Sequence, residues 1–159
     1  MKAILVIAGI VVVIDQLVKV IVLERLPAGV PVSVIDGLLA LTLVMNPGLA
    51  FGLLSGLGPG WRWLVAALSV AALLILTRMA SRVLVQGSRT DGAAIGLIFG
   101  GAVGNLIDRA RFGAVVDFVD VHYRGWHWPA FNVADSAITV GVALLAIRLL
   151  FRPSPRAAR

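Results

Sequence analysis

The sequence predicts a membrane protein that is all-α except for one small β-sheet. Three observations predict this class: 60% of the 159 residues are hydrophobic, the mean hydropathy is +1.00, and only 14% of the residues are charged. Soluble domains are closer to about 45–50% apolar. The net charge is +6, but the basic residues mostly flank apolar stretches, as topology signals do. We therefore expect membrane lipids, and no nucleic acid, among the partners.

Four apolar stretches are long enough to cross a bilayer, which takes about 20 residues. They predict transmembrane helices over about 3–23, 61–79, 92–109 and 133–151. Residues 1–151 then form a single four-helix membrane domain, and 152–159 form a cytoplasmic tail. The first stretch begins like a secretory signal peptide. No small-x-small cleavage motif follows it, however, and the apolar run resumes after Lys19, so we predict a retained helix.

The segment between the first two helices has a different pattern. Residues 27–60 contain many Gly and Pro, and within them 30–35 and 39–45 are rich in β-forming residues. Asp36-Gly37, between these two runs, is a hairpin signal. Because the segment is too apolar for a solvated loop, we predict an outer β-rich insert that forms a small sheet platform on the membrane surface.

Glycines recur every fourth residue in the third predicted helix, at Gly92, Gly96, Gly100 and Gly104. This spacing leaves a smooth ridge along one helix face, which a neighbouring helix can approach closely. We therefore predict a packing role for this glycine ridge.

The basic residues predict an N-in/C-in orientation. Eight of them fall on one side of the predicted bundle and five on the other, and the richer side is expected to be cytoplasmic. The eight are Lys2, Arg78, Arg82, Arg89, Arg148, Arg152, Arg156 and Arg159, and the five are Arg25, Arg62, Arg109, Arg111 and Arg124. Four indole rings then fall at the outer rim, where they are favoured: Trp61, Trp63, Trp126 and Trp128.

Most of the acidic residues converge near the same outer level. They are Asp15 in the first helix, Asn105-x-x-Asp108 at the end of the third, Asp117 and Asp120 in the joining segment, and Asn132-x-x-Asp135 at the start of the fourth. Charge at membrane depth is costly and indicates a functional site. Helix capping explains any single acid about equally well, but it explains neither Asp15 nor the paired asparagines. Lys19, four residues after Asp15, can partly neutralise it.

Two carboxylates close together in a low-dielectric site do not both ionise readily. Such a pair can activate water and protonate a leaving group, and an adjacent amide can stabilise an oxyanion. By spacing alone Asp108 and Asp135 are natural partners, and Asp117 is the alternative to Asp108.

The sequence offers few residues for other kinds of catalytic or metal site. The chain has no cysteine, which excludes thiol catalysis, disulfides and cysteine-based metal sites. Its serines have no His or Lys arranged as a base. His122 and His127 are close together, but no Glu or Asp stands beside them at the usual metal spacing. We therefore predict interfacial or hydrogen-bonding roles for both histidines and no metal site.

Five sequence blocks occur in order along the chain. They are Asp15-Gln16-x-x-Lys19, Asn46-Pro47-Gly48-Leu49-Ala50-Phe51-Gly52, GGAVGNLIDR ending at Asp108-Arg109, Val115-Val116-Asp117-Phe118-Val119-Asp120, and Phe131-Asn132-Val133-Ala134-Asp135. With these blocks the chain resembles the lipoprotein signal peptidases (signal peptidase II), a bacterial family of membrane aspartyl proteases. The resemblance implies an endopeptidase of the inner membrane, with its active site at the outer (periplasmic) face. It implies that the enzyme cuts prolipoproteins just before a diacylglyceryl-modified cysteine.

The resemblance also implies roles for single residues. The catalytic dyad corresponds to Asp117 and Asp135. Supporting and substrate-binding positions correspond to Asp15, Lys19, Asn46, Gly48, Asn105, Asp108, Arg109, Asn132 and Ala134. The implied partners are lipidated prolipoprotein substrates and peptide inhibitors of the globomycin type, and the family needs no metal or organic cofactor.

Two other classes of function, a transporter and a scaffold, share some of these sequence features. A small proton-coupled transporter also uses intramembrane acids, but transporter sites usually lie near the midplane between internal repeats. The acids of this chain gather at one face instead. A non-catalytic scaffold is suggested only by the glycine ridge.

Overall fold

The computed structural model of the chain describes residues 2–48, 61–84 and 88–151. Within these residues the elements run in the order α1 (Lys2–Arg25), β1 (Val32–Ile35), β2 (Leu39–Asn46), α2 (Trp61–Leu84), α3 (Arg89–Phe112), β3 (Val115–Tyr123), β4 (Trp126–His127) and α4 (Val133–Leu150). The prediction of a mostly helical chain with a small sheet is confirmed. Several predictions lie outside the described residues: 49–60 of the insert, the tail 152–159, and the side chains of Trp61, Arg62, Trp63 and Arg82.

Apolar side chains cover the outside of the helices. On α1, Leu5, Ile10 and Leu17 are each more than half exposed, and Leu74 of α2 and Ile147 of α4 are exposed as well. An exterior of this kind is unfavourable in water and is expected of helices that face lipid. Among the described residues, α1 and α3 are the two helices long and apolar enough, by length and composition, to cross a membrane.

The glycine ridge of α3 packs against α1, as predicted. A Cβ added to Gly100 would lie 2.7 Å from both the carbonyl oxygen of Ala8 and Cβ of Val11, and one added to Gly104 would lie 2.7 Å from Oδ2 of Asp15. Real Cβ contacts are not this short, so a side chain at Gly100 would push the helices apart, and one at Gly104 would displace the Asp15 carboxylate. The ridge therefore brings the acidic residue of α1 directly against α3.

The sheet has the strand order β1-β2-β3-β4, with antiparallel neighbours. The hairpin predicted at Asp36-Gly37 joins β1 to β2, and Gly37 has a φ of +72°, which glycine adopts without strain. The predicted strands of the insert are present as β1 and β2, but the sheet is not confined to the segment between the first two helices, because β3 and β4 follow α3. The two acids within β3, Asp117 and Asp120, concealed an otherwise β-branched and aromatic strand, and its partner β2 is remote in the sequence.

β3 is held between β2 and the start of α4. Asn46, the last residue of β2, pairs with Val115 at the start of β3. Further along β3, the Val119 nitrogen donates to the Phe131 carbonyl oxygen at 2.9 Å, just before α4 begins. This pairing brings Asp117 of β3 to the first turn of α4.

Candidate active site

A cavity of about 690 Å³ is bordered by α2, α3, α4 and β3. Asp117 and Asp135 both line it, next to Asn46, Asn105 and Arg109. The remaining wall is mainly apolar and includes Leu68, Ile98, Ala102, Phe131, Ile138 and Val140. A cavity with a polar end and an apolar wall fits a ligand that carries both polar and hydrocarbon parts.

Asp117 is 2% exposed, and two asparagines hold its carboxylate. Nδ2 of Asn132 donates to Oδ1 at 2.8 Å, and Nδ2 of Asn46 donates to Oδ2 at 3.0 Å. Burial raises the pKa of Asp117 to about 7; the hydrogen bond from Asn46 opposes the rise, and the nearby Asp135 adds to it. A carboxyl with this pKa can hold or release a proton near neutral pH.

Asp135 lies in the first turn of α4, and Asn132 is the N-cap of that helix. The Asp135 nitrogen donates to Oδ1 of Asn132 at 2.9 Å, and Nδ2 of Asn105 donates to Oδ1 of Asp135 at 2.8 Å. Asn132 thus caps the helix and also binds Asp117. The expectation that capping does not explain the paired asparagines was therefore wrong for Asn132, although the same side chain also contacts the cavity acid.

Asp108 belongs to a buried ion cluster instead of the cavity. Nζ of Lys19 lies 2.8 Å from Oδ2 of Asp15 and 2.7 Å from Oδ2 of Asp108, and all three side chains are at most 2% exposed. The partnership of Asp108 with Asp135 that spacing alone favoured was therefore wrong. Asn105 and Asp108 share a helix face because they are three residues apart. On that face Asn105 binds Asp135, the acid of the other Asn-x-x-Asp pair, whereas Asp108 binds Lys19.

Backbone nitrogens complete the ion cluster. The Ala134 nitrogen donates to Oδ1 of Asp15 at 2.9 Å, and the Val116 nitrogen donates to Oδ2 of Asp108 at 3.1 Å. Nζ of Lys19 also donates to Oδ1 of Asn105 at 3.1 Å. The cluster therefore ties α1 and α3 to the segments that carry Asp117 and Asp135.

A family model described as signal peptidase (SPase) II matches residues 7–151. The chain belongs to this family. It is 47% identical over 142 residues to the lipoprotein signal peptidase of Polynucleobacter necessarius subsp. necessarius (strain STIR1), a match that covers 89% of this chain and 85% of the relative. It is 43% identical over 156 residues to that of Desulforapulum autotrophicum (strain ATCC 43914 / DSM 3382 / VKM B-1955 / HRM2), with 94% and 92% covered.

Solved structures agree with the membership in the signal peptidase II family. The chain superposes on a bacterial membrane enzyme solved by the in meso method at 2.3 Å resolution, with a TM-score of 0.82, 33% identity, and 100% of this chain and 94% of the other covered. A second such structure, at 1.9 Å resolution, gives a TM-score of 0.80 at 33% identity with 96% of each chain covered. The chain is therefore a bacterial membrane protein and a protease, and the transporter hypothesis receives no support.

Arg109 stands at the polar end of the cavity of this signal peptidase II. Its Nη2 donates to the Gly48 carbonyl oxygen at 2.8 Å, and its Nη1 donates to the Asn105 carbonyl oxygen at 3.4 Å. Nε is buried and has no hydrogen-bond partner among the described residues. The Gly48 nitrogen donates to Oδ1 of Asn46 at 3.0 Å, so Arg109 and Asn46 together fix the turn after β2.

Gln16 also belongs to the ion cluster, although it is not among the predicted site residues. Its Nε2 donates to Oδ1 of Asp108 at 2.9 Å and to the Gly104 carbonyl oxygen at 3.3 Å. Its place beside Asp15 in the first sequence block is the signal that identifies it.

His127 makes a hydrogen-bonding contact, as predicted, with Nδ1 lying 2.9 Å from Oδ1 of Asp120. The reason given against a metal site at the two histidines was wrong, because Asp120 stands beside both rings. Asp120 and His122 are two residues apart on one strand and therefore share a face.

Proposed function

We propose that this chain removes signal peptides from diacylglyceryl-modified prolipoproteins by cutting before the lipidated cysteine, with Asp117 and Asp135 as the catalytic dyad. The observation that carries the proposal is the shared cavity, where both carboxyl groups stand at the polar end of an apolar wall. The polar end suits the scissile peptide, and the apolar wall suits the acyl chains and the signal helix.

The chemistry proposed is attack by water on the scissile carbonyl. The ionised member of the dyad takes a proton from the attacking water as the water oxygen bonds to the carbonyl carbon, and the protonated member donates its proton to the leaving nitrogen. The C–N bond then breaks, which leaves a carboxyl group on the signal peptide and a free amine on the lipidated cysteine. The pKa of Asp117 near 7 suits a group that exchanges a proton in this cycle. Arg109 lines the same cavity, and its positive charge suits stabilisation of negative charge on the attacked oxygen.

The supporting residues hold the dyad in place. Asn46 and Asn132 fix both oxygens of Asp117, and Asn105 fixes one oxygen of Asp135. A dyad held by packed amides keeps its geometry while water and substrate exchange. The other supporting residues do not contact the dyad carboxylates and act through the ion cluster or the turn after β2. They are Asp15, Lys19, Asp108 and Ala134 in the cluster and Gly48 in the turn.

The cleavage assay tests this function. The full chain in lipid nanodiscs is incubated with a prolipoprotein that carries the diacylglyceryl group, and the product is sequenced by mass spectrometry. We expect a product that begins at the modified cysteine. The same precursor without the lipid is the matched control, and we expect at least about 10²-fold slower cleavage because the remote lipid contacts are lost. Equal cleavage of both precursors, or a cut elsewhere, would contradict the proposal.

We further propose four membrane-spanning helices in one domain, residues 1–151, with both termini and the tail 152–159 in the cytoplasm. The site then lies at the outer face of the bacterial inner membrane. Exposed Trp126 and Trp128 support a position of the sheet at a membrane interface. The Asp91–Arg148 ion pair joins the start of α3 to the last turn of α4, so these two helix ends lie on the same side. The choice of this side as cytoplasmic follows from the excess of basic residues.

The absence of cysteine makes the orientation easy to test. In intact cells with a permeable outer membrane, a membrane-impermeant maleimide should label Asp36→Cys in the β1–β2 turn. It should label Thr90→Cys, at the start of α3, only after the inner membrane is opened. The unsubstituted chain is the blank, and the reverse labelling pattern would refute the orientation.

A further inference from the structure

Both histidines of the chain converge on one carboxylate at the β3–β4 hairpin. Nδ1 of His127 lies 2.9 Å and 3.1 Å from the two oxygens of Asp120, and Nδ1 of His122 lies 3.6 Å from Oδ2. One ligand atom from each of the three residues lies within 4.8 Å of the other two. The two imidazole rings are stacked, with centroids 5.0 Å apart and planes at 22°.

The hairpin itself produces this arrangement. Asp120 and His122 share one face of β3 because they are two residues apart, and His122 pairs directly with His127 across the hairpin. The turn between the strands contains Arg124 and Gly125, both at positive φ. The cluster is therefore set by strand register and does not depend on chance contacts between flexible side chains.

One nitrogen of the cluster has no hydrogen-bond partner within the part of the chain that the structure describes. Nδ1 of His122 is buried and makes no hydrogen bond with any described residue. An unsatisfied buried polar atom is costly, and a coordinated cation would remove that cost. The His127 side chain is 58% exposed, so the cluster remains open to solvent on one side.

We propose that Asp120, His122 and His127 bind a divalent transition-metal ion of the Zn²⁺ type, with water as a further ligand. Two imidazole nitrogens and one carboxylate oxygen form a ligand set that suits Zn²⁺, whereas Mg²⁺ and Ca²⁺ favour oxygen alone. Bonds of about 2.0–2.2 Å place the ligand atoms of a tetrahedral site roughly 3.4 Å apart. The ion therefore replaces the 2.9 Å hydrogen bond between His127 and Asp120, and rotation of the exposed His127 side chain allows this change.

The site is distinct from the cavity. Asp120 and Asp117 are three residues apart on β3, so they lie on opposite faces of the strand. The ion holds β3 to β4 at the hairpin and takes no part in peptide hydrolysis. This inference does not depend on the proposed function.

The composition of the chain allows a direct test. It has two histidines and no cysteine, so imidazole ligation in a protein purified without a histidine tag must come from this pair. Co²⁺ is titrated as a spectroscopic substitute for Zn²⁺. We expect one Co²⁺ per chain with visible d–d absorption bands, displaced by Zn²⁺. Loss of a hydrogen-bond partner of a metal ligand already costs about 10–100-fold in affinity, so His127→Ala and His122→Ala should each weaken binding at least about tenfold.

Asp36→Asn is the matched control for Asp120→Asn, because it removes the same charge from the turn of the other hairpin. It should bind Co²⁺ as the unsubstituted chain does, while Asp120→Asn binds at least about tenfold more weakly. His127 is largely exposed, so its alanine variant keeps its fold and decides the question even if Asp120→Asn does not fold. No d–d bands in the unsubstituted chain, or equal affinity in both histidine variants and that chain, would overturn the proposal.

Discussion

Asp117→Asn should lower kcat for cleavage of a lipidated prolipoprotein by about 10³-fold or more, and Asp135→Asn should do the same. Acid–base groups of this kind typically contribute about 10²–10⁴-fold, and an amide can neither take a proton from water nor return one. The double variant should be about as slow as each single variant, because residues that act as a unit are not additive. Initial rates in nanodiscs, with saturating precursor, measure this effect.

Two controls separate loss of chemistry from loss of fold. Asp36→Asn removes an exposed carboxylate that bonds to Ser33, and it should leave the cleavage rate unchanged. The thermal unfolding midpoints of the two dyad variants in detergent show whether each still folds. Turnover at the normal rate by either folded dyad variant would exclude that aspartate as a catalytic residue.

Lys19→Met should destabilise the protein by about 3–5 kcal/mol, the usual cost of breaking a buried ion pair from one side. Methionine resembles lysine in length and flexibility, but it leaves the carboxylates of Asp15 and Asp108 buried without their shared cation. Because these acids tie α1 and α3 to β3 and α4, the loss should also lower the fraction of folded enzyme. Reversible unfolding in mixed micelles measures the free energy difference.

Lys2→Met is the matched control, since it makes the same substitution at an exposed position of the same helix. It should leave stability unchanged. Adding Asp108→Asn to Lys19→Met should recover part of the loss, because one of the two unpaired charges is then removed. A Lys19→Met protein as stable as Lys2→Met would show that the cluster contributes nothing to stability.

Local patterns in the sequence were sufficient for much of the fold. A long apolar run predicts a transmembrane helix because its side chains must be buried in protein or in lipid. About 20 neighbouring residues are enough to recognise such a run. Asp36-Gly37 predicts a turn because glycine tolerates positive φ, and a glycine every fourth residue predicts close helix contact. In each case the residues that form the pattern also form the structural element that the pattern predicts.

The third strand shows where local patterns fail. β3 carries two acids among its β-branched residues, and its partner β2 is more than 60 residues earlier in the chain. Strand pairing over such a distance depends on how the helices bring the segments together. Asp120 was missed as a neighbour of the two histidines for a different, local reason. The three residues meet only when β3 and β4 form a hairpin, which was not predicted from the sequence.

By itself the sequence determined the membrane class, the polar residues gathered near one face, and, through its five blocks, the resemblance to signal peptidase II. The resemblance also implied which acids form the dyad, but only the tertiary structure decided which partner each acid binds. Asp15 and Asp108 share the buried Lys19, whereas Asp117 and Asp135 line the cavity. Spacing along one helix limits which side chains share a face, but the pairing of charges is set by whichever segments pack against that face.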